Sequence, residues 1–195
     1  MDDLPKPTDI TRLLRLVREG DKAAEADLIP LVYGQLRQIA AGLMKSERVD
    51  HTLQPTALVH EAYARMMGKS IDLTSRGHFF AIAGQTMRRV LVDYARGRIA
   101  QRRGGNTQVK LTIEENTAVP GLDPDQLLEL DEALTRLANL NERQCRVVEL
   151  RYFAGLTNEE IAEVLTVSAR TIKRDWSIAK AWLYGELSNH ADGPT

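Results

Sequence analysis

The stretch TNEEIAEVLTVSARTIKRDWSIAKAWL, residues 157–183, decides how the rest of the chain is read. Thr157 followed by Glu160 is a capping-box start, and Ile161, Ala162, Val164 and Leu165 give a short helix an apolar side. Thr166 and Val167 interrupt the pattern before Ser168 offers a second N-cap. Beyond it, Ile172, Trp176, Ala179 and Leu183 recur at helical spacing and, at about 100° per residue, share one face. Arg170, Arg174, Ser177 and Ala181 fall opposite, flanked by Thr171 and Lys173, while Asp175 lies toward the core edge. A short helix, a tight turn and a helix with a basic outer face make the pattern of a helix-turn-helix that enters the DNA major groove. The bland alternative is a packed helix pair whose charges are only solvated. Against it, the outer face carries no acid, and its Arg and Lys cluster in the first turns, where a recognition helix meets base edges. Turns of this kind often carry Gly. Here Thr166 stands in its place, and a left-handed conformation there brings some strain.

Size and composition narrow the setting. A chain of 195 residues suits one domain or two small ones, each with a modest core. The formal net charge of −1 means that any nucleic-acid signal is local rather than global. Cys145 is the only cysteine, which excludes an internal disulfide and fits a reducing cytoplasm. Within NERQCRVVELRY it reads as a filler thiol rather than a nucleophile, since no His follows it until His190. No apolar run approaches the length of a membrane span, and the start MDDLPKPTD is acidic, unlike a signal peptide. The expectation is a cytoplasmic protein with no membrane partner.

Helical periodicity dominates and no alternating strand pattern stands out, so the predicted class is all-α. One helix is predicted from about Asp9 to Arg18, and a longer one from Lys22 to Lys45, with Pro30 as a kink near its first turns. TALVHEAYARMM follows a connector and is apolar on nearly every side. From His78 to about Arg98, Phe80, Ala83, Met87, Leu91 and Tyr94 line one helical face. RIAQRRGGNTQVK is basic and Gly-containing, whereas LTIEENTAVPGLDPDQLLELDE holds seven acids and no basic residue. That charge reversal, with Pro120 and Pro124, marks a flexible linker over roughly 102–125 between helical domains at 8–101 and 126–188. Helices resume at Gln126–Ala138 and Asn141–Tyr152, where Asn141 and Gln144 repeat the capping-box pattern, and SNHADGPT is a polar tail.

No constellation supports catalysis, a metal or a cofactor. His60–Glu61 invites comparison with the zinc-protease helix motif, but the position that needs a second His is Ala64. His51, His60, His78 and His190 are scattered. The helix from His78 is more informative. Opposite its apolar face lie His78, Gln85, Arg89 and Arg96, with Arg88 beside them and Asp93 as the balancing acid. Cations for phosphates next to the rings of His78 and Phe79 suit single-stranded or melted DNA, the alternative being an ordinary solvated face. TALVHEAYARMM must be buried on more than one side, by default within its own domain, and polar His60 and Glu61 are compatible with a protein-binding edge.

Three segments in order resemble a known family, the extracytoplasmic function (ECF) sigma factors of the sigma-70 group. LVHEAYARM is similar to the helix with which those proteins dock on RNA polymerase core. GHFFAIAGQTMRRVLVDYARGRIAQRRGG resembles the segment that melts and reads the proximal promoter element. LNERQCRVVELRYFAGLTNEEIAEVLTVSARTIKRDWSIAKAWL resembles the domain that binds the distal element. The resemblance runs from about Asp9 to Leu187. It implies an initiation factor that catalyses nothing, whose partners are the largest subunits of bacterial core polymerase and promoter DNA, both double-stranded and melted. An anti-sigma protein is a further candidate partner.

Carried onto this chain, the resemblance makes Gln85 the residue that captures an extruded base, with Arg88, Arg89 and Arg96 on nearby phosphates and His78 or Phe79 stacking. Arg170, Thr171, Lys173, Arg174 and Ser177 would face the distal element, and Leu58, His60, Glu61 and Tyr63 the polymerase clamp. Two departures stand out: His78–Phe79 replaces the Trp of many members, and Ala57 replaces the usual acid before the docking helix. A coil of about 25 residues averages about 25–30 Å end to end and reaches about 80 Å extended, against about 68 Å for two turns of DNA. Stretched, the linker can straddle two DNA elements. Its acids suit a channel built for a polyanion. The main rival is a stand-alone helix-turn-helix regulator that never touches polymerase, though such a protein needs neither the docking helix nor the cationic stripe. A hydrolase using His60 and Glu61 is the remote one.

Overall fold

Helices account for all the regular structure in the computed structural model of the chain, which describes residues 7–44, 54–67, 75–102 and 124–191. They are α1 (Pro7–Arg18), α2 (Lys22–Leu43), α3 (Pro55–Met67), α4 (Arg76–Arg102), α5 (Pro124–Leu140), α6 (Glu142–Tyr152), α7 (Asn158–Leu165) and α8 (Ala169–Ala191). The all-α class is as expected. The central part of the predicted linker, with His51 and the last four residues, lies outside the described residues.

Local chemistry accounts for most boundaries. Asp21 caps α2, its Oδ1 accepting from the amides of Ala23 at 2.8 Å and Ala24 at 3.1 Å. Pro30 sits inside α2, where it cannot donate to the carbonyl one turn earlier. Ser75 starts α4: its Oγ accepts from His78 N at 3.2 Å and its carbonyl from Phe79 N at 2.9 Å. Asn141 caps α6 by accepting from Gln144 N at 3.0 Å. The largest departures from expectation are at two C-terminal ends, while α4 and α5 each start two residues early, at Arg76 and Pro124. The helix α4 runs past Arg98 to Arg102, and α8 continues through Ser188–Ala191, which the sequence reads as polar tail. Extending a formed helix adds a hydrogen bond per residue fixed, and Arg136 Nε holds Glu186 of α8 at 2.7 Å.

The helix that organises the packing is α4. On one side it meets α1, α2 and α3, burying Ile10, Leu36, Leu58, Met87 and Leu91. On the other it meets α5, α6 and α7, with Leu127, Phe153 and Ala154 buried in the same continuous core. At this second contact Gly84 is required by space: a Cβ there would stand 2.8 Å from both the Cβ and the amide nitrogen of Ala154. The remaining helices, α5 to α8, close around Leu134, Val147, Leu150, Ile161 and Ile172, all fully buried.

Candidate nucleic-acid interface

The helix-turn-helix is α7, its turn and the first half of α8. Thr157 and Glu160 complete the capping box, Glu160 N donating to Thr157 Oγ1 at 3.3 Å and Thr157 N to Glu160 Oε2 at 2.9 Å. Thr166 is left-handed, with φ 55° and ψ 45°, and Val167 N donates to Ala162 O at 3.0 Å across it. It is the one positive-φ residue other than glycine among those described, so the turn is made despite the Cβ. Ser168 Oγ accepts from Thr171 N at 3.1 Å and starts α8.

Along α8, Ile172 and Ala179 are fully buried and Trp176 is covered by Arg151, whose guanidinium lies 4.8 Å from the ring centroid. Arg170, Lys173 and Arg174 project into solvent. Asp175 is 1% exposed; its Oδ2 accepts from Arg143 Nε at 2.6 Å, which ties it to α6, and its Oδ1 stands 3.8 Å from Arg174 Nε, so the acid is buried beneath the cations rather than displayed among them. The outer face is therefore positive. Thr171 and Ser177 are less available, because Thr171 Oγ1 shares a hydrogen bond with Ser168 Oγ at 2.8 Å and Ser177 Oγ donates to Lys173 O at 3.0 Å.

The stripe on α4 is placed differently from its reading as one open face. Arg89 and Arg96 are exposed, and Gln85 is half-buried beside them. Phe79 is 1% exposed and packs edge-on against Phe80 at 5.1 Å between centroids. Its ring belongs to the core, which leaves the half-buried His78 as the ring nearer the surface. The reason is that α4 is enclosed on two sides, whereas a single-face reading allows one. Arg88 is likewise not displayed: its side chain is 15% exposed. Asp131 Oδ1 accepts from Arg88 Nε at 3.0 Å and Nη2 at 2.8 Å, and Glu149 Oε1 accepts from Nη1. Between these groups runs a groove of about 280 Å³ whose lining includes Gln85, Arg88, Arg89, Arg96, Asp131 and Glu149.

The helix α3, expected from the sequence to face polymerase, buries Leu58, Val59, Ala62 and Met66, so Leu58 supports its surface from beneath rather than lining it. His60 is exposed, its Nε2 3.3 Å from Tyr33 Oη. Glu61 accepts from Arg65 Nε at 2.9 Å, and Arg65 Nη1 donates to Asp93 at 2.9 Å, tying α3 to α4. Tyr63 is half-buried; burial, then the negative charge of Glu25, raises its phenol above the ordinary range. His60, Tyr63 and Ala64 of α3 with Ile29, Pro30, Tyr33 and Leu36 of α2 line an apolar groove of about 520 Å³. The α2 contribution escapes a sequence reading that treats α3 alone as the protein-binding element. There Ile29 is 42% exposed, beside Pro30 within α2. Nor did the sequence single out Asp131 and Glu149, which lie more than forty positions from Arg88. Among the described residues no three His, Cys, Asp or Glu converge as a metal site, and no helix is long and apolar enough to cross a membrane.

Helices throughout the described residues, a positively faced helix-turn-helix, a cationic central helix and an apolar groove on α2 and α3 give the chain the build of a DNA-binding transcription factor. The family model described as ECF sigma factor matches residues 7–189, and the chain belongs to that family. The family is one of RNA polymerase sigma factors acting in transcription initiation, and it is not a family of catalytic enzymes. No curated protein matches the chain.

Proposed function

We propose that this chain binds core polymerase through the α2–α3 groove, sets α8 on the distal promoter element, and uses α4 to hold the proximal element as it melts. In this reading Arg170, Lys173 and Arg174 contact the distal element. Gln85 receives an unstacked base, with Arg89 and Arg96 on neighbouring phosphates. His60, Glu61 and Tyr63, together with Tyr33 and Ile29, meet the largest polymerase subunits in the cytoplasm. The observation that carries the reading is the combination in one chain of the exposed α8 cations, whose neighbouring Asp175 is buried, with an apolar groove between α2 and α3. A simple operator-binding repressor needs only the first.

The experiment is reconstitution. Purified protein added to sigma-free core polymerase should form a complex and give transcripts from a subset of candidate promoters. Operator binding without a complex with core would instead establish the stand-alone regulator. Binding of either DNA element should weaken steeply with salt, as expected when Lys and Arg displace counterions from phosphate.

A further inference from the structure

We infer that Arg65 of α3 is a positioning residue for the cationic stripe of α4: it takes up Asp93, the acid within that stripe, and so leaves Arg89 and Arg96 to meet phosphate. The inference rests on the DNA role proposed above for α4. Arg89, Asp93 and Arg96 are spaced by four and three, so they share one face of the helix. All three line the groove that also holds Gln85. Within its own helix, Asp93 stands one turn from a cation on either side, the spacing at which opposite charges pair. A carboxylate paired with Arg89 or Arg96 would occupy the donors that those side chains offer to phosphate. An unpaired one would repel the strand.

The structure shows neither arrangement. Arg65 Nη1 donates to Asp93 Oδ2 at 2.9 Å, although the Asp93 side chain is 44% exposed and within reach of its own helix's cations. Glu61, one turn earlier on α3, accepts from Arg65 Nε at 2.9 Å and holds the guanidinium from the other side. Arg65 is therefore fixed between carboxylates of two helices, one behind it and one on the stripe. Arg89 is exposed, and its side chain has no ion pair among the described residues. Arg96 is also exposed, and its ion pair among the described residues is with Asp131 at 3.7 Å, not with Asp93. The sequence makes Asp93 the balancing acid of the stripe, and the packing of α3 on α4 passes that balance to Arg65.

A charge-removal cycle tests this in the full chain assembled with core polymerase. The readout is titration with a mixed-sequence single-stranded DNA oligonucleotide at several salt concentrations, with core alone as background. Arg65→Gln releases Asp93 to take Arg89. Affinity at low salt should then fall about tenfold, and the slope of log affinity against log salt should flatten by about 0.7, the value of one phosphate contact on a single strand. Adding Asp93→Asn to Arg65→Gln removes the released acid and should return affinity and slope to within about twofold of the parent, a coupling that a merely structural role for Arg65 does not produce. Parent-like binding by Arg65→Gln would overturn the inference. So would a loss that Asp93→Asn leaves in place, since Arg65 would then act on DNA or on packing by itself. If the parent complex binds no more oligonucleotide than core alone, the DNA reading of α4 fails and this inference falls with it. A binding parent with an unaffected Arg65→Gln variant leaves that reading standing and removes only the role of Arg65.

Discussion

Phe79 shows how a single position changes meaning once its neighbours are known. Next to the cationic stripe it reads as a stacking ring, yet it is buried in the core with its ring edge-on to Phe80. Truncating it to Phe79→Ala should lower the unfolding free energy by about 3–5 kcal/mol, the range for an emptied aromatic site. Chemical denaturation checks this, and an unchanged midpoint would mean that the ring is not a core residue. Cys145 makes the opposite point, because the filler thiol inferred from sequence is buried and donates from Sγ to Leu134 O at 3.3 Å. Burial, then Glu149, pushes its pKa from 9.0 up to about 11. The folded chain therefore keeps a proton that the unfolded chain releases, so stability falls as pH rises from about 9 toward 11. Alkylation at pH 8 should be slow in the folded chain and fast in denaturant, and rapid reaction with the folded chain would contradict this burial.

Between α7 and α8 the division of labour is clearer than residue type suggests. The polar face of α8 contains five candidates, but the hydroxyls of Thr171 and Ser177 already have partners within the chain. Base or phosphate contact then falls mainly to Arg170, Lys173 and Arg174. The variants Lys173→Ala and Arg174→Ala should each weaken distal-element binding by about 1–3 kcal/mol if they read base edges. Their affinity for core polymerase should be unchanged, because the α2–α3 groove is on another face. Gel-shift and core-binding titrations run side by side measure both, and a loss of core binding would mean that the two faces are misassigned. The positions of α7 and α8 follow from local signals: a complete capping box, a turn held by Val167 N on Ala162 O, and Ser168 as the second cap.

Across the molecule, one hydrophobic core runs through α4 from Ile10 and Leu36 to Phe153 and Leu134. Unfolding in urea should therefore be a single cooperative transition followed equally by ring absorbance and helicity. Gly84→Leu should split it into two, since it disturbs the seat of α4 on Ala154 but neither half internally. Coincident curves for that variant would show that the two halves do not depend on this contact.

Helix positions, caps and the basic face of α8 were legible in the sequence because each depends on residues three, four or seven apart, distances that periodicity and capping chemistry resolve. Membership of the ECF sigma factor family was legible through the resemblance of three ordered segments, and the family match over residues 7–189 agrees with it. What periodicity cannot carry is which second surface covers a helix. The burial of Phe79 and the pairing of Arg88 were not legible, because the core around the first draws on distant helices and Asp131 and Glu149, which hold the second, come from far along the chain. Local spacing determined where the cations stand; only the packing of α5, α6 and α7 against Gly77 and Gly84 decided which of them face solvent.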